Sequence, residues 1–206
     1  MKLTTDPNKK PDLVARQVLK KANKLTLRQM QMQKLPNVDN VTILGDVSGS
    51  MNGEKMDALK KALTEVWRPG LDAMVFGSEV YQIQKTDIQS LYTMGSTHML
   101  AALQEAWRSN TTHIILISDG DPTDASTGAI LEEAIKHKEI PIDTIGIGSR
   151  GMCDYDPVFL ARLAEITGGH FSDCGMPIML SQIIKDLLEW KPTELVGDKK
   201  SEVIEL

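Results

Sequence analysis

The stretch VTILGDVSGSM, residues 41–51, turns from apolar to polar within six residues. Val41, Thr42, Ile43 and Leu44 are apolar or β-branched, and Gly45 follows them. Asp46, Ser48 and Ser50 then alternate with Val47 and Gly49. A continuous apolar run such as 41–44 is expected of a strand buried on both faces, which is the habit of parallel sheets. Asp, Ser and Gly are also the residues with which strands commonly surface into turns. Whether the polar half is only a turn depends on what the rest of the chain brings to it.

Downstream, strands and helices alternate. Met56, Leu59, Leu63 and Val66 recur at three- and four-residue spacing and predict a helix. Residues 71–76 and 80–83 flank Gly77-Ser78-Glu79 and read as a hairpin. A second helix carries Leu100, Leu103 and Trp107, and HIILIS, residues 113–118, is the most apolar strand. A helix over 129–137, a strand over 141–148, a helix over 157–167, a short strand at 170–173 and a helix over 177–190 complete the pattern. Repeated βα units with one hairpin predict an α/β fold. Its sheet is open, mostly parallel and doubly wound, with one antiparallel strand and helices on both faces.

Ahead of this body, Pro11 and DLVARQVLKKANKL predict a helix with Val14, Val18, Ala22 and Leu25 on one stripe. LPNVDN, residues 35–40, reads as a linker. The expected organisation is a basic helical arm and linker (1–40), an α/β domain (41–190) and a polar tail (191–206). A chain of 206 residues, 41% hydrophobic, suffices for one full core. Its net charge is −5, yet residues 1–34 hold nine Lys or Arg against Asp6 and Asp12, a balance of +7 that leaves −12 for the remainder. Mild overall acidity argues against a nucleic-acid binder as a whole, although the arm could hold phosphate or an acidic partner, or rest on its own acidic body. No stretch approaches the ~20 apolar residues of a membrane span. The N-terminus lacks the apolar core of a signal peptide. Cys153 and Cys174 are too few for a disulfide framework, so the cytoplasm is the expected compartment.

Three polar clusters fall just after strands or at helix starts, where open α/β sheets bind ligands. They are Asp46 to Ser50, Met94-Gly95-Ser96-Thr97, and Ser118-Asp119-Gly120-Asp121-Pro122. Hydroxyls with a few carboxylates are hard oxygen donors suited to Mg²⁺, and no Cys or His lies within the clusters to favour zinc.

Asp46-x-Ser48-x-Ser50, Thr97 in a Gly-Ser-Thr turn, and Asp119-Gly120 with Pro122 together resemble the metal-ion-dependent adhesion site of von Willebrand factor A (vWA) domains. The resemblance spans residues 41–190 and implies a Rossmann-like vWA fold. It implies that Ser48 and Ser50 place hydroxyls on the ion and that Thr97 contacts it directly or through water. Asp46 and Asp119 would stand mostly one water away, leaving one position for an acidic side chain of a protein partner. The implied ion is Mg²⁺, with Mn²⁺ or Ca²⁺ as substitutes. The implied role is a non-enzymatic binding module in an intracellular assembly, often beside ring-shaped ATPases.

Other readings attach to the same residues. A Mg²⁺-dependent phosphohydrolase or phosphotransferase would use a strand-end Asp, but Ser48 stands where a second acid is wanted, and no Gly-Lys-Ser loop exists. No Lys or Arg lies inside the clusters to neutralise phosphate. The arm could instead hold nucleic acid, though it lacks aromatic residues for stacking. His98 either enters the ion site or simply begins a helix. Cys153 and Cys174 either bridge or remain free thiols. In the loop 150–156, Arg150, Met152 and Tyr155 would suit an exposed binding rim, while Asp156 before Pro157 suits a helix cap. Trp67, Trp107 and Trp190 read as packing residues.

Overall fold

The computed structural model describes residues 40–148 and 155–189. The helix expected in the arm, the polar tail, and Arg150, Met152, Cys153 and Trp190 lie outside them. The strands are β1 (Val41–Asp46), β2 (Leu71–Phe76), β3 (Val80–Ile83), β4 (His113–Ser118), β5 (Ile142–Ile147) and β6 (Phe171–Cys174). Between and after them come α1 (Glu54–Val66), α2 (Met99–Arg108), α3 (Thr127–Ile135), α4 (Pro157–Thr167) and α5 (Leu180–Glu189). Short 3₁₀ turns occupy Gly49–Met51, Lys85–Ser90 and Pro177–Met179.

One six-stranded sheet runs in the order β3-β2-β1-β4-β5-β6. Every pairing is parallel except that of β3 with β2. β1 is central and all six of its residues are buried, which is why its sequence shows no polar alternation before the strand end. Side chains leave successive residues on opposite faces. Ile43, Val75, Ile115 and Ile145 therefore meet α1 and α5 on one side of the sheet. Leu44, Met74, Leu116 and Ile142 meet α2, α3 and α4 on the other.

The register aligns Gly45 with Val75 on one side and Ile117 on the other. Gly45 has a packing role: a Cβ there would sit 3.2 Å from a Leu59 methyl, so its absence lets α1 close onto β1. Helix ends follow local chemistry. Asp156 Oδ1 accepts from the Val158 and Phe159 amides ahead of Pro157, as its sequence position suggested, and Gly168 at φ 78° ends α4. The reciprocal cap of Gln84 and Asp87 on the 3₁₀ turn at 85–90 had no periodicity to announce it.

β1 extends two residues past the apolar run because β2 and β4 flank it on both sides and continue the ladder through Gly45. That extension puts Asp46 at the end of a strand rather than in a free loop.

Leu59 is fully buried against this strand. Leu59→Ala should lower unfolding free energy by about 2–5 kcal/mol, the usual cost of a core leucine truncation. Urea denaturation followed by far-UV circular dichroism would measure it.

Candidate metal site at the carboxyl ends of β1 and β4

The strand order reverses between β1 and β4, so the chain leaving each strand turns to a different face and a crevice opens between the two exits. Asp46 ends β1 and Ser118 ends β4, with Asp119 immediately after. Asp46 is fully buried and uses both oxygens: Oδ1 accepts from the Ser48 amide at 2.7 Å and Oδ2 from Ser118 Oγ at 2.6 Å. The first bond curls the chain after β1 into a tight turn. The second ties the two strand ends together.

The turn directs the two serines to one spot. Ser48 Oγ and Ser50 Oγ lie 3.1 Å apart, and Ser50 Oγ donates to Asp119 Oδ1 at 2.7 Å. Ser48 is buried whereas Gly49 and Ser50 are exposed, so the cluster has a floor in the protein and a mouth toward solvent.

Thr97 arrives from a separate segment that is stitched to the first loop by backbone bonds. The Met94 amide donates to Val47 O at 2.6 Å, and the Gly49 amide to Gly95 O at 3.0 Å. Gly95 has φ 50°, and a Cβ there would stand 2.5 Å from Ser78 Oγ, so this turn requires glycine. On its other flank, the Thr97 amide donates to Thr123 Oγ1 and the Thr123 amide returns a bond to Thr97 O. A Cβ built on Gly120 would lie 3.5 Å from Ser50 Oγ and 3.6 Å from Thr97 Oγ1, so the three loops meet beside that glycine.

All five residues singled out from the sequence thus belong to one cluster, although Asp46 reaches it through Ser48 and Ser118. The oxygen donors a cation could use are the hydroxyls of Ser48, Ser50 and Thr97 and the carboxylates of Asp46 and Asp119. Among the described residues, no group of three or more His, Cys, Asp or Glu side chains could hold a metal. This all-oxygen set fits a hard dication.

Three further residues, Thr123, Asp124 and Lys55, were not singled out from the sequence, and Ser118, a member of the third cluster, takes a role that the sequence did not assign to it. Ser118 anchors Asp46, and Thr123 holds Thr97. Asp124 accepts from the Leu100 and Ala101 amides at the start of α2. Lys55, second residue of α1, donates to Asp119 Oδ2 at 2.6 Å with its side chain 7% exposed. No basic residue lies inside the three clusters in sequence, yet in three dimensions Lys55 accompanies them. The helix after β1 delivers Lys55 to the third cluster across 64 residues of chain.

The neighbouring features sort themselves. His98 is the N-cap residue of α2, and its amide donates to Gly77 O. Tyr155 is buried rather than part of an exposed rim. Its ring packs over Gly146, which could not carry a Cβ beneath it, and its hydroxyl donates to Asp173 Oδ1 at 2.6 Å. β5 and β6 are sheet neighbours. Cys174 is a buried free thiol whose pKa burial pushes up to about 11, which makes it a poor nucleophile. Trp107 stacks on His137 with ring centroids 4.3 Å apart. No helix among the described residues is long and apolar enough to cross a membrane.

The chain belongs to the von Willebrand factor type A domain family, whose profile matches residues 39–76 and 64–173. No curated protein sequence matches it. Among solved structures, it is similar to a von Willebrand factor type A protein from Catenulispora acidiphila at 23% identity and TM-score 0.63, covering 73% of this chain and 42% of that one. It is similar to the ArnB paralog VWA2 from Sulfolobus acidocaldarius at 21% identity and TM-score 0.58, with 73% and 46% covered. Proximal thread matrix protein 1 from the mussel byssus, with a zinc-occupied MIDAS motif, is similar at 16% identity and TM-score 0.52, covering 74% of this chain and 45% of that one. The chain spans less than half the length of each. At these identities the likeness is one of fold. The family often mediates protein–protein interaction through a metal held at the adhesion site.

Burial raises the Asp46 carboxyl to about 6, with bonds from Ser118 and Ser48 opposing the rise and the charge of Asp119 adding to it. A carboxyl whose folded pKa lies above its unfolded value keeps its proton in the native state after the unfolded chain has released it. Stability therefore falls as pH rises from about 4 to about 6, and the cost is fully present above that. Two units correspond to about 3 kcal/mol as an order of magnitude. Chemical denaturation of metal-free protein at pH 4, 5, 6 and 7 should show this decline, and Asp46→Asn should flatten it.

Proposed function

We propose that this domain holds a divalent cation between Ser48, Ser50, Thr97, Asp46 and Asp119 and uses it to recruit an acidic side chain of a protein partner. The carrying observation is the chain of contacts Ser48 Oγ–Ser50 Oγ–Asp119 Oδ1, open to solvent at Ser50 and floored by the buried Asp46. When bound, the ion would supply an electrophilic coordination position for the incoming carboxylate. The residues of this chain do the rest. Ser48 and Ser50 present neutral oxygens, while Asp46 and Asp119 fix the loops by hydrogen bonds instead of being spent as free ligands.

Charge supports that reading. Asp46, Asp119 and Lys55 together carry −1 when both acids are ionised, so a dication would bring this group to +1, matched to one incoming carboxylate. Mg²⁺ is the proposed ion because the donors are hard oxygens and hydroxyls, with Mn²⁺ or Ca²⁺ as substitutes. The zinc-occupied site of the mussel protein supports a divalent ion in general.

The role proposed is binding, not catalysis. Lys55 removes one objection to phosphoryl transfer, but Ser48 still stands where a second acid would be wanted, and the chain has no Gly-Lys-Ser phosphate loop. A partner within a multi-subunit intracellular assembly, including one with a ring ATPase, is part of the proposal on the family resemblance. The cytoplasm is the proposed compartment, supported by the scarcity of cysteine.

The test is capture from source-cell lysate with three baits: wild type in Mg²⁺, wild type in EDTA, and folded Ser48→Ala in Mg²⁺. A partner retained by the first bait alone is the expected outcome. Identical retention on all three would end the metal-dependent reading and turn attention to the basic arm.

A further inference from the structure

Lys55 is oddly placed for a lysine. It is the second residue of α1, where unsatisfied amides and the helix dipole favour anions, and its residue is 5% exposed. Burying an ammonium at the positive end of a helix is unfavourable on both counts. Two other lysines of the same helix, Lys60 and Lys61, lie partly or fully in solvent. Packing alone does not call for a charge at position 55, because its stem could be supplied by methionine.

What offsets the cost is Asp119. Its Oδ2 receives the ammonium at 2.6 Å, its Oδ1 receives Ser50 Oγ at 2.7 Å, and its side chain is 0% exposed. The carboxylate is thus shared between a fixed monovalent cation on one oxygen and the hydroxyl cluster on the other. Any dication held by Ser48 and Ser50 draws on the same carboxylate, in a partly buried setting where charges are weakly screened.

We propose that Lys55 is a built-in counter-ion that sets the cation affinity of this site. Resting on the metal-binding reading above, this assigns the lysine two linked effects. It keeps Asp119 neutralised when no dication is bound, and it weakens the hold on a dication by repelling it across the shared carboxylate. Occupancy then follows the surrounding cation concentration instead of being permanent.

The test compares wild type with Lys55→Met, which keeps stem volume without charge, and with Lys55→Gln, which keeps a hydrogen-bond donor without charge. Full-length proteins are titrated with Mn²⁺ and with Mg²⁺ by isothermal calorimetry after circular dichroism has confirmed folding. Both variants should bind each ion at least tenfold more tightly, the order expected from deleting one like charge nearby at an effective dielectric of about 20. Thermal melts supply a second readout. The variants should melt below wild type in EDTA, because Asp119 is left buried without this counter-charge. Saturating Mg²⁺ should shrink or reverse that gap, since tighter ligand binding stabilises the native state more. A salt bridge with only a structural role would lower the melting temperature equally in both conditions.

Equal or weaker ion affinity in a folded variant, with wild type binding normally, overturns the role of Lys55 and leaves the metal site standing. No ion binding by wild type or either variant overturns both. Should Lys55→Met not fold, the Lys55→Gln protein carries the same decision.

Discussion

The parallel pairing of β1 with β2 on one side and β4 on the other is the constraint from which the rest follows. Because β1 is enclosed, its apolar residues are held in register and its last residue, Asp46, stops at the upper edge of the sheet. Because β4 is its neighbour, Ser118 arrives level with Asp46 and closes a buried hydrogen bond to it at 2.6 Å. Loops that diverge from adjacent strand ends cannot cover the gap between them. Most of the polar groups gathered there are buried, and Gly49 and Ser50 open the cluster to solvent.

Within that crevice, rigidity comes from short-range bonds made by the segments themselves. The Ser48 amide on Asp46 shapes the first loop, Gly95 permits the second to pass beneath it, and Thr123 and Asp124 bind the second to the third. The loops that carry the proposed donors are therefore tied by backbone and side-chain hydrogen bonds that do not require an ion. This is the preorganisation that spares a binding site the cost of ordering its own loops.

Much of this was legible in the chain. The strand 41–44, the hairpin at 71–83, HIILIS and the helix at 157–167 follow from apolar periodicity, turn residues and caps, all of which act over a few residues. The cluster Asp46, Ser48, Ser50, Thr97 and Asp119 was legible because each member sits at a strand end or helix start, and an α/β sheet brings such positions to one edge. The sequence left the loop 150–156 open between an exposed rim and an ordinary connection, and Tyr155 is buried. The ring in fact covers Gly146, a gap that exists only once β5 is folded.

The sequence by itself determined the alternation of elements, the enclosed character of β1 and the residue types available to a cation, since these rest on local periodicity and side-chain chemistry. Only the tertiary structure decided that Asp46 is buried enough to be raised to about 6 and that Ser118 is its partner. It alone decided that Lys55, one residue among several on a helix rich in lysine, turns inward onto Asp119. The reason is physical. Desolvation and ion pairing depend on which groups are close in space, and here the paired groups come from elements 64 to 72 residues apart.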